Sequence, residues 1–201
     1  MRLMKIAVFA SGNGTDLQAI IDGCKKGIIN AEVALVISNN EAAYALSRAQ
    51  KEDIPQYCIN SDNYSSFEEF NDHLLAILNN HEIDLIFLAG YLKKISPRLI
   101  EAYPIFNIHP ALLPKYGGKG MYGINIHAAV LAAGETETGI TIHRVSAEYD
   151  QGEIIAQTKV EVLPEDTPES LQARVLEREH TFIVEVLKNI VEDIRKLKHR
   201  K

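Results

Sequence analysis

Three observations predict an α/β fold with a mostly parallel sheet. Short apolar runs alternate with amphipathic helical segments through the first hundred or so residues, the pattern that places helices on both faces of a parallel sheet. The run Asp84–Ala89 is apolar almost throughout, as a strand covered on both faces must be. After His109 the alternation gives way to two extended runs and one long helical segment, which gives the sheet an antiparallel end.

Lys5–Ala10 is a short apolar strand followed by the tight loop Ser11-Gly12-Asn13-Gly14-Thr15. Asp16–Lys26 reads as a helix with Leu17, Ile20, Ile21 and Cys24 on one face. Glu32–Ser38 is the second strand, Glu41–Lys51 the second helix and Gln56–Ile59 a short third strand. A helix starting at Ser65 carries Phe67, Phe70, Leu74 and Leu78 at helical spacing. The buried strand Asp84–Ala89 comes next, and Pro97 opens a short helix to Ala102. The apolar run Tyr103–Ile108 is a strand that ends at His109. Pro110–Gly123 is a Gly- and Pro-containing loop expected over the site, and Ile126–Ala133 is a helix stopped by Gly134. Gly139–Val145 and Glu153–Val162 form an antiparallel pair joined by 146–152. Thr167-Pro168-Glu169 opens a helix to about Leu197; Thr-x-x-Ser lacks the acidic member of a capping box, so Pro168 is the stronger start signal. No linker or composition shift divides the chain. The expectation is a single domain over 1–201, Rossmann-like, with a long C-terminal helix.

The bulk numbers exclude several classes. The 201 residues suffice for one full core. Hydrophobic content of 46% and charged content of 24% are those of an ordinary globular domain. A net charge of −6 argues against a broad nucleic-acid footprint, and no apolar run approaches the ~20 residues of a membrane span. The start, Met1-Arg2-Leu3-Met4-Lys5, runs directly into a strand with no signal-peptide pattern. Cys24 and Cys58 have no motif spacing and read as reduced, buried thiols, with a disulfide as the lesser alternative. The basic tail 195–201 suits a helix C-terminus and solvent.

Two segments carry chemistry. In Asn107-Ile108-His109-Pro110 an amide and an imidazole stand two apart on a strand and share one face. They lie at the strand's carboxyl end, where open α/β sheets bind ligands. The pair suits a developing oxyanion: the amide donates a hydrogen bond and the imidazole donates or shuttles a proton. The plain alternative is a satisfied histidine at a strand end. The loop Gly12-Asn13-Gly14-Thr15, between strand and helix, can cradle an anion on free backbone amides. Leu17 stands at the third glycine position of a dinucleotide fingerprint, and no Gly-Lys-Ser/Thr follows, so a single phosphate fits better than NAD or ATP. A glycine turn with Thr15 as N-cap is the alternative. Asp16 suits a helix start but would repel a phosphate.

Taken in order, these segments resemble the folate-dependent phosphoribosylglycinamide formyltransferases, from about Lys5 to about Leu187. The carrying residues are 10–15 (Ala-Ser-Gly-Asn-Gly-Thr), 88–91 (Leu-Ala-Gly-Tyr), 107–114 (Asn-Ile-His-Pro-Ala-Leu-Leu-Pro), 137–143 (Glu-Thr-Gly-Ile-Thr-Ile-His), Asp150-Gln151-Gly152 and Glu179-His180. The resemblance implies formyl transfer from 10-formyltetrahydrofolate, as co-substrate and without a metal, to the amine of a phosphoribosyl glycinamide in purine synthesis. It implies a cytoplasmic enzyme, monomeric or homodimeric, that binds these small molecules and neither nucleic acid nor membrane. The seven histidines show no ligand spacing.

By position, Asn107, His109 and Asp150 would be catalytic. Asn107 would hold the oxyanion. His109, protonated, would stabilise it and move protons. Asp150 would pair with His109, raise its pKa and hold an ordered water. Gly12, Asn13, Gly14, Thr15 and Asp16 would meet the substrate phosphate, and Glu179 its ribose, with a solvated helix carboxylate as the alternative for Glu179. Leu92, Lys93, Lys94, Ile95, Asn107, Glu148 and Tyr149 would meet the folate. Residues 1–104 would form a nucleotide- and phosphate-binding half, and 105–201 a catalytic and folate-binding half.

Departures from the pattern are visible. Lys93 stands where an arginine is expected and loses the planar fork. Phe67 occupies the place of a folate-binding arginine, so that role is not carried over. Asp16 replaces an asparagine, and the loop 117–123 is longer than the common form. His127 matches a family histidine or is a packing residue. Methionyl-tRNA formyltransferases and formyltetrahydrofolate hydrolases share the chemistry but are expected to carry a further C-terminal or N-terminal domain. A non-enzymatic phosphometabolite-binding module is the alternative of another class.

Overall fold

The computed structural model describes residues 2–198; Met1 and the end of the basic tail, His199, Arg200 and Lys201, lie outside the described residues. The elements run β1 (Met4–Phe9), α1 (Thr15–Lys25), β2 (Ala31–Ser38), α2 (Tyr44–Lys51), β3 (Gln56–Cys58), α3 (Phe67–Asn80), β4 (Leu85–Leu88), α4 (Pro97–Ala102), β5 (Ile105–His109), α5 (Ile124–Ala132), β6 (Glu137–Arg144), β7 (Ile154–Glu161) and α6 (Pro168–Lys198). A 3₁₀ turn covers Ser61–Asn63. The sheet order is β3-β2-β1-β4-β5-β6-β7. Pairings through β5 are parallel; β5–β6 and β6–β7 are antiparallel. The predicted α/β architecture with its antiparallel end is therefore observed. Among the described residues no helix is long and apolar enough to cross a membrane.

Alternation along β1 divides the core. Ile6 and Val8 pack into one apolar layer with α1, α5 and α6, while Ala7 and Phe9 face a second layer with α3 and α4. β4 is buried along its whole length, and Phe87 is fully enclosed. Each such large side chain contributes about 1.5–3 kcal/mol by leaving water. The strand order reverses direction of growth between β1 and β4, and there the two loops meet. Ser11 N–H donates to the Gly90 carbonyl (3.0 Å) and Leu92 N–H to Ser11 Oγ (2.9 Å). This topological switch point is where open parallel sheets hold ligands.

Several boundaries differ from the sequence reading for local reasons. α2 begins at Tyr44, later than Glu41, because Asn40 Oδ1 accepts from Ala42 N–H and Ala43 is extended. Thr15 is the first helical residue of α1; Gly14 is its N-cap, in the left-handed region at φ 72°, and no side chain caps it. An alanine there would also place Cβ 2.8 Å from Ala45 Cβ, so glycine is required twice over. At α6 the expected incomplete cap is in fact reciprocal: Ser170 N–H donates to Thr167 Oγ1 (3.2 Å), and Thr167 N–H to Ser170 Oγ (3.0 Å). Serine thus performs the task usually given to glutamate. The cysteines are free but less enclosed than expected. Cys24 is half-buried and Cys58, at the end of edge strand β3, is exposed.

Candidate active site

The carboxyl ends of β4 and β5, the loops after β5 and β6, and the inner face of α6 enclose a cavity of about 670 Å³. Asn107, His109 and Asp150 all line it, as do Leu92, Lys93, Lys94, Ile95, Glu148, Tyr149, Asp16 and Glu179. Of the predicted phosphate loop only Asp16 is among the lining residues; Gly12, Asn13, Gly14 and Thr15 lie outside that cavity. Phe67 is also outside it, exposed and stacked on Phe70.

β5 delivers Asn107 and His109 from one strand face, and the turn before β7 delivers Asp150. His109 is buried. Its Nε2 lies 2.8 Å from the Tyr116 carbonyl, which can only accept, so Nε2 carries the proton. The remaining nitrogen, Nδ1, faces Asp150 Oδ2 at 3.7 Å, an ion-pair distance too long for a hydrogen bond. Nδ1 is therefore the atom that gains or loses a proton. Both groups that hold the ring have strained backbones: Tyr116 has φ 57° and Asp150 φ 54°. Non-glycine residues tolerate such angles only where the surroundings impose them.

Asp150 raises the His109 pKa as expected, yet the net result is the opposite of the expectation. Burial lowers it by more than Asp150 and the Tyr116 hydrogen bond restore, with a further lowering from His143. His109 is thus neutral in the free protein at neutral pH. Burial also pushes the Asp150 carboxyl up, but His143 and His109 beside it and the Gly118 N–H (2.9 Å to Oδ2) hold it below the ordinary carboxylate range. The site pairs a fixed anion with an uncharged base.

His143 is the site residue that the sequence reading left without a role. It is buried on β6, directly opposite Asn107 in the β5–β6 register. Its Nδ1 lies 3.0 Å from the Arg144 carbonyl, to which it donates. Its Nε2 lies 3.1 Å from Asn107 Nδ2 and 3.4 Å from Asp150 Oδ1. With Nδ1 protonated, the Nε2 lone pair accepts from the Asn107 amide. The period-2 alternation of Thr141 and His143 was the available signal. His127, on α5, is buried with Nδ1 unpartnered; burial, with a smaller contribution from the neighbouring His109, pushes its pKa down to about 4.

At the other end, Asp16 and Glu179 face the same cavity. Glu179 is buried at 7% exposure, which removes the solvated-carboxylate alternative. Beside the phosphate loop, Arg48 of α2 donates through Nε to the Asn13 carbonyl at 2.9 Å. That places a cation next to the loop, a feature the sequence reading did not single out. At the outer rim Lys94 sits 3.9 Å from Glu148 and over the Tyr149 ring at 5.8 Å, while Lys93 is 3.7 Å from Asp62. Among the described residues no group of three or more His, Cys, Asp or Glu is placed to hold a metal ion.

The family model described as formyl transferase matches residues 4–187. A phosphoribosylglycinamide formyltransferase of Haemophilus influenzae is 42% identical over 198 residues, covering 98% of this chain and 91% of that protein. The protein of that name from Escherichia coli is 37% identical over 181 residues, covering 89% and 83%. Among solved structures, the phosphoribosylglycinamide formyltransferase of Coxiella burnetii superposes with a TM-score of 0.87 at 40% identity, covering 96% of this chain and 89% of that one. The glycinamide ribonucleotide transformylase 1 of Geobacillus kaustophilus gives 0.87 at 38%, covering 94% and 100%.

Proposed function

This chain belongs to the formyl transferase family, and we propose that it transfers the formyl group of 10-formyltetrahydrofolate to the amine of phosphoribosyl glycinamide, a step of purine synthesis. The observation that carries this reading is the convergence of Asn107, His109 and Asp150 on one cavity that continues to Asp16 and Glu179. A two-ended cavity of this kind can hold a donor and an acceptor with the reacting groups in the middle.

The amine lone pair attacks the formyl carbon, and the carbonyl π electrons move to oxygen. Asn107 donates a hydrogen bond to that oxyanion. Neutral His109 takes the amine proton at Nδ1 and becomes the imidazolium, whose charge Asp150 offsets at 3.7 Å. The oxyanion lone pair then re-forms the C=O bond as the C–N10 bond breaks, the electron pair of that bond goes to N10, and His109 returns the proton there. The lowered His109 pKa suits this sequence, because the ring starts as a base. No step requires a metal.

For the folate, Leu92 and Ile95 offer apolar wall, Tyr149 a ring, and Lys93, Lys94 and Glu148 charges at the rim, a set that fits a flat heterocycle with an acidic tail. Gly12, Asn13, Gly14, Thr15 and Asp16, with Arg48 beside them, would meet the phosphate, and Glu179 the ribose. Residues 1–104 would serve the nucleotide and 105–201 the chemistry and folate, with two exchanges: 92–95 serve the folate and Glu179 the ribose. The test is formyl transfer by purified protein, with the amine substrate present or absent and no metal added. Turnover that requires the amine and falls by at least about 10³-fold in His109→Ala supports the reading. Folate release without the amine overturns it in favour of hydrolysis.

A further inference from the structure

His109 stands between two acceptors that compete for its single ring proton. The Tyr116 carbonyl lies 2.8 Å from Nε2, and Asp150 Oδ2 lies 3.7 Å from Nδ1. A neutral imidazole has one N–H, and a carboxylate is a stronger acceptor than a neutral carbonyl. At equal distances the proton would sit on Nδ1, and the lone pair that faces Asp150 would be lost. The carbonyl prevails because it alone is within hydrogen-bond reach. The charge chemistry of the ring therefore depends on what holds the Tyr116 carbonyl in place.

The loop after β5 sets the two distances together. Close to the Tyr116 carbonyl in sequence, Gly118 N–H donates at 2.9 Å to Asp150 Oδ2, the same oxygen that faces Nδ1. A Cβ on Gly117, between them, would stand 2.6 Å from Leu113 Cδ2 and 3.2 Å from Asp150 Cβ, so glycine permits the approach. Tyr116 takes its place only at φ 57°, a left-handed angle that a tyrosine does not hold unaided. Its anchor lies outside the cavity lining. The ring packs against the core layer of α1, α5 and α6, and Oη donates to Glu135 Oε1 at 2.9 Å. Lys115 Nζ donates to the same oxygen at 2.8 Å. These two hydrogen bonds hold the Glu135 carboxyl below the ordinary range, so it is an acceptor only. The end of α5 places Glu135 in turn: Gly134 is left-handed at φ 66°, and Glu135 N–H donates to the Val130 carbonyl at 3.3 Å.

We propose that Glu135 and Tyr116 are positioning residues that fix the tautomer of His109: their hydrogen bond holds the Tyr116 carbonyl on Nε2–H and so keeps Nδ1 bare and facing Asp150. The inference rests on the functional reading only for the reaction that this base serves. When Nδ1 takes a proton, Nε2–H stays on the carbonyl and the new N–H faces the carboxylate, so the same bracket suits both charge states. Without the anchor, Tyr116 relaxes from its left-handed angle, the carbonyl withdraws and the proton passes to Nδ1. The fraction of rings competent as base falls, and kcat falls in proportion; a ring competent a tenth of the time loses about tenfold. Substrate contacts are untouched, so the KM values stay.

Nitrogen-15 NMR of ring-labelled histidine in the full chain, at about pH 8 where the ring is neutral, reads which nitrogen carries the proton. The His109 signals are identified by their loss in His109→Gln. Tyr116→Phe removes the hydroxyl and keeps the ring and the carbonyl; Glu135→Ala removes the acceptor; Lys115→Met removes only the exposed ion pair. The expected result is Nε2–H in the wild type and in Lys115→Met, and a shift toward Nδ1–H in Tyr116→Phe and Glu135→Ala. Formyl transfer by the two shifted variants should show kcat lowered on the order of tenfold with both KM values within about twofold. Tyr116→Phe alters the packing least and carries the test alone if Glu135→Ala does not fold. An Nδ1–H wild type, or a tautomer unchanged in Tyr116→Phe whatever its kcat, overturns the proposal. The tautomer is read without turnover, so the shift in a protein that transfers no formyl group supports the bracket and overturns the functional reading instead.

Discussion

The two ends of the cavity both rest on buried carboxyl groups, and they are in opposite electrostatic states. Asp150 receives the Gly118 N–H and stands beside two histidines, so it stays ionised below the usual range. Asp16 Oδ1 has no hydrogen-bond partner among the described residues, and burial, with the charge of Asp16 in the case of Glu179, pushes both carboxyls up. Burial acts on all three in the same direction. What separates them is the supply of partners: the loop after β5 and the β6 strand furnish them at one end, while at the other α6 brings only His180 Nε2 to 3.8 Å from Asp16 Oδ1, beyond hydrogen-bond reach. The Asp150 end is built to hold a charge, whereas the Asp16 end leaves a buried carboxyl oxygen unpaired.

The comparison is broken most directly at Asp150. Asp150→Asn keeps the shape but removes the anion, and formyl transfer should fall by about 10²–10⁴-fold. With burial unopposed, the His109 pKa drops further, so the acid limb of the kcat/KM profile moves to lower pH. A stopped-flow pH series checks both; an unmoved acid limb would detach Asp150 from His109. A smaller effect of opposite sign is expected at Asp16. Asp16 stays protonated in the fold to about pH 6, whereas the unfolded chain ionises near 3.8, so it costs stability as pH rises between these values. Asp16→Asn should therefore raise the unfolding free energy at pH 8 by on the order of 1–3 kcal/mol and change it little below about pH 4. Urea titrations at the two pH values read this. The least effect belongs to the exposed rim: Lys94→Met removes the Glu148 pair and the Tyr149 contact and should cost less than about 1 kcal/mol of stability.

Much of this was legible in the sequence because the signals were local or periodic. Pro97 after Ser96 set α4 at its observed bounds, and the apolar run at 84–89 marked a strand buried on both faces. The convergence of Asn107, His109 and Asp150 was readable from spacing on a strand and from a resemblance. The rest depended on three-dimensional proximity. His143 acquires its role from cross-strand register with Asn107. Tyr116 and Gly118 act through backbone atoms, which carry no residue signature. The His109 charge state is not legible in the sequence, because a named neighbour, Asp150, is visible there and the depth of burial is not. Arg48 and Asp16 illustrate the same limit, since packing of α2 and α6 against the first loop decides what each side chain meets.

The central claim is that one cavity holds an ionised carboxylate, Asp150, at one end and two carboxyls raised by burial, Asp16 and Glu179, at the other. Carbon-13 NMR titration of the labelled side-chain carboxyls of Asp16, Asp150 and Glu179 tests it most directly. The account predicts that Asp150 titrates below the ordinary range while Asp16 and Glu179 titrate above it, with Glu179 returning toward normal in Asp16→Asn. Ordinary values for all three, or an Asp150 that titrates alongside the other two, would contradict it.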